Sequence, residues 1–340
     1  RIVPDHAAAP DKPISAVFII EITPITAPML AGWVEKGHRI AAIVVPGPRP
    51  GKQSSFGTWR RRWRRRLVLR QHLVPADAPL IEFGRPHDWA ALCQRLASFN
   101  ADVLITFGFP TLIPETVLKL FAKGGLNLHP ALLPNYKGPH PIARLVLDGQ
   151  DETHGGVSLH KMTSGFDEGD ILAQIAFSPG DWQSTATLSR ALASGMKMLV
   201  AEAAPDHCVG VLEGMPQPEG TFTWAQVGRT PVVVGSQWSS THVAKIWRVV
   251  GRAVALYVQI EGKLARLAHP IRRLGPATGE PPARRWGMIE FDCADGRVAH
   301  LTYSGFARQL TRWQRAFGRI RLGQRFFEIR RFGERTEGSR

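Results

Sequence analysis

The chain has 340 residues, long enough for two domains that each bury their own hydrophobic core. Hydrophobic residues make up 44% and charged residues 21%, a balance typical of a globular protein, and no apolar run approaches the ~18 residues of a membrane span. Lys and Arg outnumber Asp and Glu by 43 to 28, and the resulting charge of +15 indicates a polyanionic partner, either nucleic acid or a phosphorylated small molecule.

Cysteine usage and the first apolar stretch bear on the compartment. Cys93, Cys208 and Cys293 are odd in number and far apart, which argues against a disulfide framework and a paired-cysteine zinc site. Residues 16–33 are apolar but are interrupted by Glu21 and by prolines, a pattern of a strand followed by a helix rather than of a signal peptide. We therefore expect a cytoplasmic protein without a membrane segment.

Residues 14–205 predict one domain in which strands alternate with helices. The expected strands are residues 14–20, 39–45, 103–107, 126–129, 157–162 and 171–177. The expected helices are residues 27–36, 88–99, 114–121 and 188–199. Such alternation favours an α/β fold with a Rossmann-like parallel sheet and helices on both faces.

The composition changes after residue 205. Residues 206–238 are rich in Pro, Gly and Thr and predict a linker. A helical stretch and short β-like runs follow within residues 239–325, which indicates a small antiparallel β-barrel-like (OB-like) domain. Residues 326–340 form a basic tail.

Three polar residues in the first domain form a candidate catalytic set. Asn127 and His129 lie two residues apart at the end of an expected strand, so both side chains leave the same face of the strand. Ligands of open α/β sheets bind at such carboxyl ends. Asp167 lies in a Gly-flanked turn from which a carboxylate can reach the imidazole. An amide, an imidazole and a carboxylate can hold a carbonyl oxygen, move a proton and orient the base, as acyl transfer to an amine requires.

Two competing interpretations remain open on sequence grounds. His129, His140, His154, His160 and Asp167 raise the question of a metal site, but they lack a tightly spaced ligand pair, so no metal is expected. Residues 59–66 read WRRRWRRR and lie on a long loop or a short helix, where they either contact a polyanion or form a solvated basic face.

Several motifs make the chain resemble the folate-dependent formyltransferases. The similar segments are residues 127–134 (NLHPALLP), 137–138 (KG), 141–142 (PI), 155–157 (GGV), 166–172 (FDEGDIL), 107–109 (FGF), 112–114 (LIP) and 23–24 (TP). Residues 238–262 are similar, more weakly, to the start of the second domain in the tRNA-directed members. The resemblance covers about residues 15–305.

The resemblance implies that 10-formyltetrahydrofolate donates a formyl group to an amine without a metal. By this resemblance Asn127 holds the formyl oxygen, His129 stabilises that oxygen and helps to move the proton, and Asp167 orients the imidazole. The residues implied for donor binding are Phe107, Gly108, Phe109, Ile113, Leu132, Leu133 and Pro134.

The resemblance defines the acceptor less closely than the donor. The two-domain layout favours methionyl-tRNA, a substrate that makes tRNA the expected partner. The residues implied for acceptor binding are Trp59, Arg60, Arg61, Arg62, Trp63 and Arg64. Departures from the tRNA-directed pattern, at Glu21 before Thr23-Pro24 and at Pro139-His140, keep a second acceptor open: a small amine such as a nucleotide-linked amino sugar. A third possibility is a catalytically inactive RNA-binding paralogue.

Overall fold

A computed structural model of the chain describes residues 12–47, 55–75, 78–84, 86–220, 222–228, 230–251, 253–267, 271–285 and 288–301. The described residues form two compact units. The first runs to Val232 and includes Ala244–Ala255, and the second comprises Val233–Val243 and the residues from Leu256 onward. Most of the segment expected to be a linker, residues 206–238, therefore belongs to the first unit. The basic tail and residues 302–325 of the expected second domain lie outside the described residues.

A seven-stranded sheet forms the centre of the first unit, with the strand order β3-β2-β1-β4-β5-β6-β7. Its strands are β1 (Ser15–Ile19), β2 (Arg39–Pro46), β3 (Leu80–Phe83), β4 (Val103–Phe107), β5 (Gly125–His129), β6 (Gly156–Lys161) and β7 (Ile171–Ala176). Neighbours from β3 to β5 are parallel. Because β1 and most of β2 and β4 are buried, these strands read as continuous apolar runs. The expected α/β fold with a parallel Rossmann-like core is confirmed.

One strand near the end of the sheet, β6, runs in the opposite direction from the parallel core. β6 pairs antiparallel with β5, and β7 pairs antiparallel with β6. Apolar periodicity predicts where a strand lies but not its direction, so the sequence revealed both strands without revealing this reversal. The connection between β6 and β7 is short, as an antiparallel pair permits and a parallel pair does not.

Several helices begin or end at recognisable signals. They are α1 (Ala27–Glu35), α2 (Ser55–Gln71), α3 (Trp89–Ala97), α4 (Glu115–Leu118), α5 (Pro141–Asp148), α6 (Asp151–His154), α7 (Thr185–Met198), α8 (Ala204–Cys208) and α9 (Ser240–Val250). Asp88 caps α3 by accepting from the Ala91 N–H, and Gly149 ends α5 in the left-handed conformation. In the parts of the chain that the structure describes, no helix combines the length and apolarity of a membrane span.

α2 carries the basic block and is anchored by one of its arginines. Arg65 is buried and donates to both carboxylate oxygens of Glu21, at 2.9 and 2.8 Å, and to the Pro46 carbonyl at 3.0 Å. Arg62 donates to Glu82 at 3.1 Å. Glu21 follows β1, Pro46 ends β2 and Glu82 lies in β3, so α2 lies at the carboxyl edge of the sheet.

The second unit is antiparallel, as expected from its short β-like runs. One sheet has the order β10-β9-β8 and the other the order β11-β14-β13-β12. The strands are β8 (Val232–Val233), β9 (Leu256–Ile260), β10 (Lys263–Leu267), β11 (Ile271–Gly275), β12 (Ala283–Arg285), β13 (Met288–Cys293) and β14 (Gly296–Leu301).

Candidate active site

A row of polar side chains crosses three neighbouring strands. The pairing register places Thr106 of β4 opposite Asn127 of β5, and Asn127 opposite His160 of β6. Residues opposite each other in a sheet project from the same face, so the three side chains meet. The row lies near the carboxyl ends of β4 and β5, next to the point where the strand order reverses.

The Asn127 amide is oriented by this row. The Thr106 hydroxyl donates to Asn127 Oδ1 at 2.7 Å. Asn127 Nδ2 lies 3.0 Å from His160 Nε2 and donates to Asp167 Oδ1 at 3.3 Å. Since His160 Nδ1 lies 2.8 Å from the Lys161 carbonyl, which only accepts, that nitrogen carries the proton and Nε2 accepts from the amide. Both amide hydrogens therefore have directed partners, one imidazole and one carboxylate.

His129 is buried between a backbone carbonyl and the carboxylate of Asp167. Its Nε2 lies 2.8 Å from the Tyr136 carbonyl, and its Nδ1 lies 3.4 Å from Asp167 Oδ2. A carbonyl only accepts, so Nε2 carries a proton. Nδ1 is therefore the ring nitrogen that faces the carboxylate of Asp167.

Asp167 is the point on which these groups converge. Its side chain is 10% exposed, and it accepts from the Gly138 N–H at 2.9 Å in addition to the contacts with Asn127 and His129. Burial by itself raises the pKa of this carboxyl. The hydrogen bond with His129, the charge of His129 and the Gly138 N–H outweigh burial and hold the pKa of Asp167 well below its usual range. The carboxylate is therefore a fixed negative charge.

Residues of the segment expected to be a linker support the two loops around Asp167. Gln217 Nε2 donates to the carbonyls of Asp167 and Gly169, both at 2.8 Å. Gly138 has a φ of +110°, and a Cβ there would come within 2.9 Å of the Trp224 indole. This position therefore requires glycine for two reasons, the backbone conformation and the close approach of the ring.

The donor-binding residues expected on β4 and the loop after it line the same edge of the sheet. Phe107 is opposite Leu128 in register, and both Phe107 and Phe109 are half-buried. Gly108 has a φ of +65° with open space where a Cβ would stand. Ile113 is 4% exposed and packs in the core. The open space beside Gly108 and the flanking aromatic rings suit a flat heteroaromatic group. Ile113 is buried in the core and supports this surface by packing.

The loop after β5 holds the other expected donor-binding residues in a fixed conformation. The Ser158 hydroxyl accepts from the Leu133 N–H at 3.1 Å, and Gln174 donates to the Leu133 carbonyl at 2.9 Å. Leu133 is buried, whereas Leu132 and Pro134 are half-buried. Both backbone groups of Leu133 thus already have partners, so Leu132 and Pro134 offer the accessible surface.

Some of the expected acceptor-binding residues on α2 have exposed side chains that point outward, and others are hydrogen-bonded to neighbouring residues. Trp59, Arg60, Trp63 and Arg64 are exposed, and the two indole rings stack with centroids 6.4 Å apart. Arg61 is half-buried and donates to Thr58 at 3.1 Å, and Arg62 pairs with Glu82 as described above. The outward residues form one aromatic and basic face, since positions three and four apart share a side of a helix.

Sequence reasoning singles out Asn127, His129 and Asp167 as the candidate set but misses the residues that orient Asn127. It points to His160 only as a possible metal ligand, and it does not single out Thr106. A usable signal exists for Thr106, because it is polar within the otherwise apolar strand β4. In the described part of the chain, no group of three or more His, Cys, Asp or Glu residues is arranged to hold a metal ion.

Known proteins match this chain in sequence and in fold. The sequence model of a family described as formyl transferase matches residues 85–201. A methionyl-tRNA formyltransferase of Halalkalibacterium halodurans is 31% identical over 203 residues, which cover 58% of this chain and 59% of that protein. Another, of Burkholderia multivorans, is 30% identical over 279 residues, which cover 77% of this chain and 82% of that protein.

A solved structure shares the fold over most of the chain. It is an N-formyltransferase of Helicobacter canadensis in complex with folinic acid and dTDP-3-aminofucose. The TM-score is 0.54 at 15% identity, and the match covers 85% of this chain and 100% of that chain.

Replacing Asp167 by Asn tests the charge at this point. A carboxyl with a depressed pKa stabilises the folded state above the unfolded-state pKa of ~3.9, and this contribution is lost as the pH falls towards the lower folded-state pKa. Urea unfolding at pH 7 should show Asp167→Asn less stable than the unmodified protein by about 1–3 kcal/mol. At pH 3 the difference should be smaller. The control is Glu168→Gln, a change at an exposed neighbour that should leave the stability equal to that of the unmodified protein. If Asp167→Asn lowers the stability by the same amount at pH 7 and at pH 3, this account is contradicted.

Proposed function

The chain belongs to the formyl transferase family, and from this premise we propose that it transfers a formyl group from 10-formyltetrahydrofolate to the amino group of methionyl-tRNA. The family match confirms the sequence prediction of a formyltransferase, and the folate-derived donor is part of the proposal. The observation that carries the proposal is the convergence of Asn127, His129 and Asp167 at the carboxyl edge of the sheet.

We assign Asn127 to the formyl oxygen. When the amine attacks the formyl carbon, that oxygen gains negative charge, and a fixed amide N–H beside it stabilises this charge. The amide hydrogen directed at Asp167 makes the longer of the two contacts, 3.3 Å against 3.0 Å, so it is the one available to the incoming oxygen. His160 retains the other hydrogen and thereby keeps the amide oriented.

His129 and Asp167 act as a charged pair in this proposal. The attacking amine loses one proton and the departing donor nitrogen gains one, so the site needs only to relay it. His129 adds positive charge beside the developing oxyanion, and its Nδ1 is the nitrogen assigned to the relay. Asp167 remains ionised, so its charge stabilises positive charge on the ring during the proton relay and fixes the orientation of the ring.

The outward face of α2 supports a nucleic acid as the carrier of the amine. Arg60, Arg64 and Arg66 are exposed on the same helix as the stacked rings of Trp59 and Trp63. Arginines contact phosphates, and exposed indole rings stack on unpaired bases. Arg65 and Glu21 have a different role in the proposal: they hold α2 at the sheet edge. Since methionyl-tRNA is used where ribosomes work, the proposal includes tRNA as partner and the expected cytoplasmic location.

A nucleotide-linked amino sugar is the second candidate acceptor. It is favoured by the departures from the tRNA-directed pattern, among them Pro139-His140 in the loop after Gly138. The net charge of +15 suits a nucleoside diphosphate as well as a tRNA.

One assay separates the candidate functions. The protein is incubated with 10-formyltetrahydrofolate labelled in the formyl carbon and, in parallel, with methionyl initiator tRNA or with a panel of nucleotide-linked amino sugars. We expect label in the tRNA fraction and release of tetrahydrofolate. Label in the sugars alone would reverse the choice of acceptor. Folate binding without tetrahydrofolate release, whatever the amine, would indicate an inactive RNA-binding paralogue.

Substitutions of the two histidines test the assigned roles. His129→Ala should reduce kcat by ~10²-fold or more, because it removes the charge beside the oxyanion. His160→Ala should reduce kcat by about tenfold, because Asn127 loses one of its fixed partners. His160→Gln, whose amide oxygen accepts from Asn127, should recover most of that loss. Near-normal kcat in His129→Ala, with tetrahydrofolate affinity retained, would refute the catalytic assignment.

The outward arginines of α2 provide a test of RNA binding. Replacing Arg60, Arg64 and Arg66 together by Ser should weaken tRNA binding and lower the slope of log Kd against log salt by roughly one for each phosphate that the helix no longer neutralises.

The matched control replaces Arg95, Lys123 and Arg190, three exposed cations outside α2 in the same unit. Both triple variants remove the same formal charge, so only a local interaction with the RNA distinguishes them. Equal salt slopes in the two variants would show that α2 acts through net charge alone and does not contact the RNA.

A further inference from the structure

Two exposed aromatic side chains lie beside the catalytic loops, and the mechanism does not use them. Phe166 is 41% exposed and Trp224 is 48% exposed. Their ring centroids are 6.5 Å apart with the ring planes at 68°. Phe166 directly precedes Asp167 in the chain. Large apolar groups exposed together at a reaction site are a feature of binding surfaces.

Trp224 is held against the loop that contacts Asp167. It forms a parallel bridge with Lys137, and its neighbour Ala225 donates to the Lys137 carbonyl and accepts from the His140 N–H at 2.8 Å. The indole packs against Gly138, whose N–H donates to the Asp167 carboxylate. A single residue therefore separates the exposed indole from the carboxylate of the proposed active site.

A lysine lies on the loop against which Trp224 packs. Lys137, half-buried, has its Nζ 5.4 Å from the centre of the Phe222 ring, and His140 is exposed on the same loop. Exposed rings beside cations are the combination with which proteins bind single-stranded nucleotides, because the rings stack on the base while the cations attract the phosphate.

We propose that Phe166 and Trp224 form a stacking platform for the nucleobase of the acceptor, and that this base is the terminal adenine of an aminoacyl-tRNA. The proposal rests on the proposed function only in placing the acceptor amine at Asn127, His129 and Asp167. Phe166 and Trp224 bind the acceptor and take no part in the bonds that form and break.

The short path from the platform to Asp167 is the reason for choosing adenosine. In an aminoacyl-adenosine the amine is joined to the nucleoside through one aminoacyl ester on the ribose. In a nucleotide-linked amino sugar, a hexose ring and a diphosphate lie between the amine and the nucleoside. A base stacked one residue from the catalytic carboxylate matches the shorter connection.

The test measures binding and turnover with a stable probe, methionyl-adenosine in which an amide replaces the ester. In the full-length protein, Trp224→Ala and Phe166→Ala should each raise the Kd of the probe and the KM for methionyl-tRNA by about tenfold or more. Trp224→Phe should keep most of the affinity, because it retains a stacking ring. Tetrahydrofolate affinity should be unchanged in all three. Val211→Ala, which truncates an exposed apolar residue elsewhere in the unit, should behave as the unmodified protein.

Three outcomes would overturn the platform. Unchanged probe affinity in Trp224→Ala would show that the indole does not touch the base. A fall in kcat without a rise in Kd or KM would show that Trp224 only supports Gly138. A loss of affinity confined to nucleotide-linked amino sugars would refute adenine as the base.

A second measurement does not depend on the variants folding. An 8-azidoadenine form of the probe, irradiated on the unmodified protein, should label the peptides that contain Phe166 or Trp224. Labelling confined to other peptides would refute the platform. Formylation of methionyl-tRNA by the unmodified protein is scored separately, so a failure of the proposed function is distinguishable from a failure of this inference.

Discussion

The organisation of the site depends on one buried negative charge, the carboxylate of Asp167. Taking a carboxylate out of water is costly unless donors replace its hydration. Here the Asn127 amide and the His129 imidazole, both from β5, and the Gly138 N–H, from the loop that follows β5, surround it. Satisfying this charge therefore fixes the end of β5, the loop around Gly138 and the turn that carries Asp167 relative to one another. The groups assigned to the chemistry are oriented by the same contacts.

The supports of this charge extend into the segment after α8. Gln217 bonds the backbone of the Asp167 loop, and Trp224 packs on the glycine whose N–H reaches the carboxylate. These contacts explain why that segment belongs to the first compact unit although its composition predicts a linker. Pro, Gly and Thr content reports the lack of regular secondary structure, and such a segment can still be tightly hydrogen-bonded.

The arginines of α2 show how identical residues acquire opposite roles. Arg65 is buried and holds the helix to Glu21, whereas Arg60 and Arg64 are exposed. A guanidinium that pairs with a carboxylate at the sheet edge is neutralised, so the positive potential of the helix comes from its outward side. The six arginines of the block, residues 60–62 and 64–66, read as one charged run in the sequence, and only the docking of the helix divides them.

The sequence by itself determined the alternation of strands and helices, the placing of Asn127 and His129 on one face of a strand, and the motifs that identify the family. These features are local, since apolar periodicity and two-residue spacing act within a single element. Tertiary structure alone decided that β6 runs antiparallel, and this direction brings His160 opposite Asn127. It also decided which arginine is buried and which segment covers Gly138. Each of these depends on pairing or packing between elements far apart in the chain, and residue spacing carries no information about such contacts.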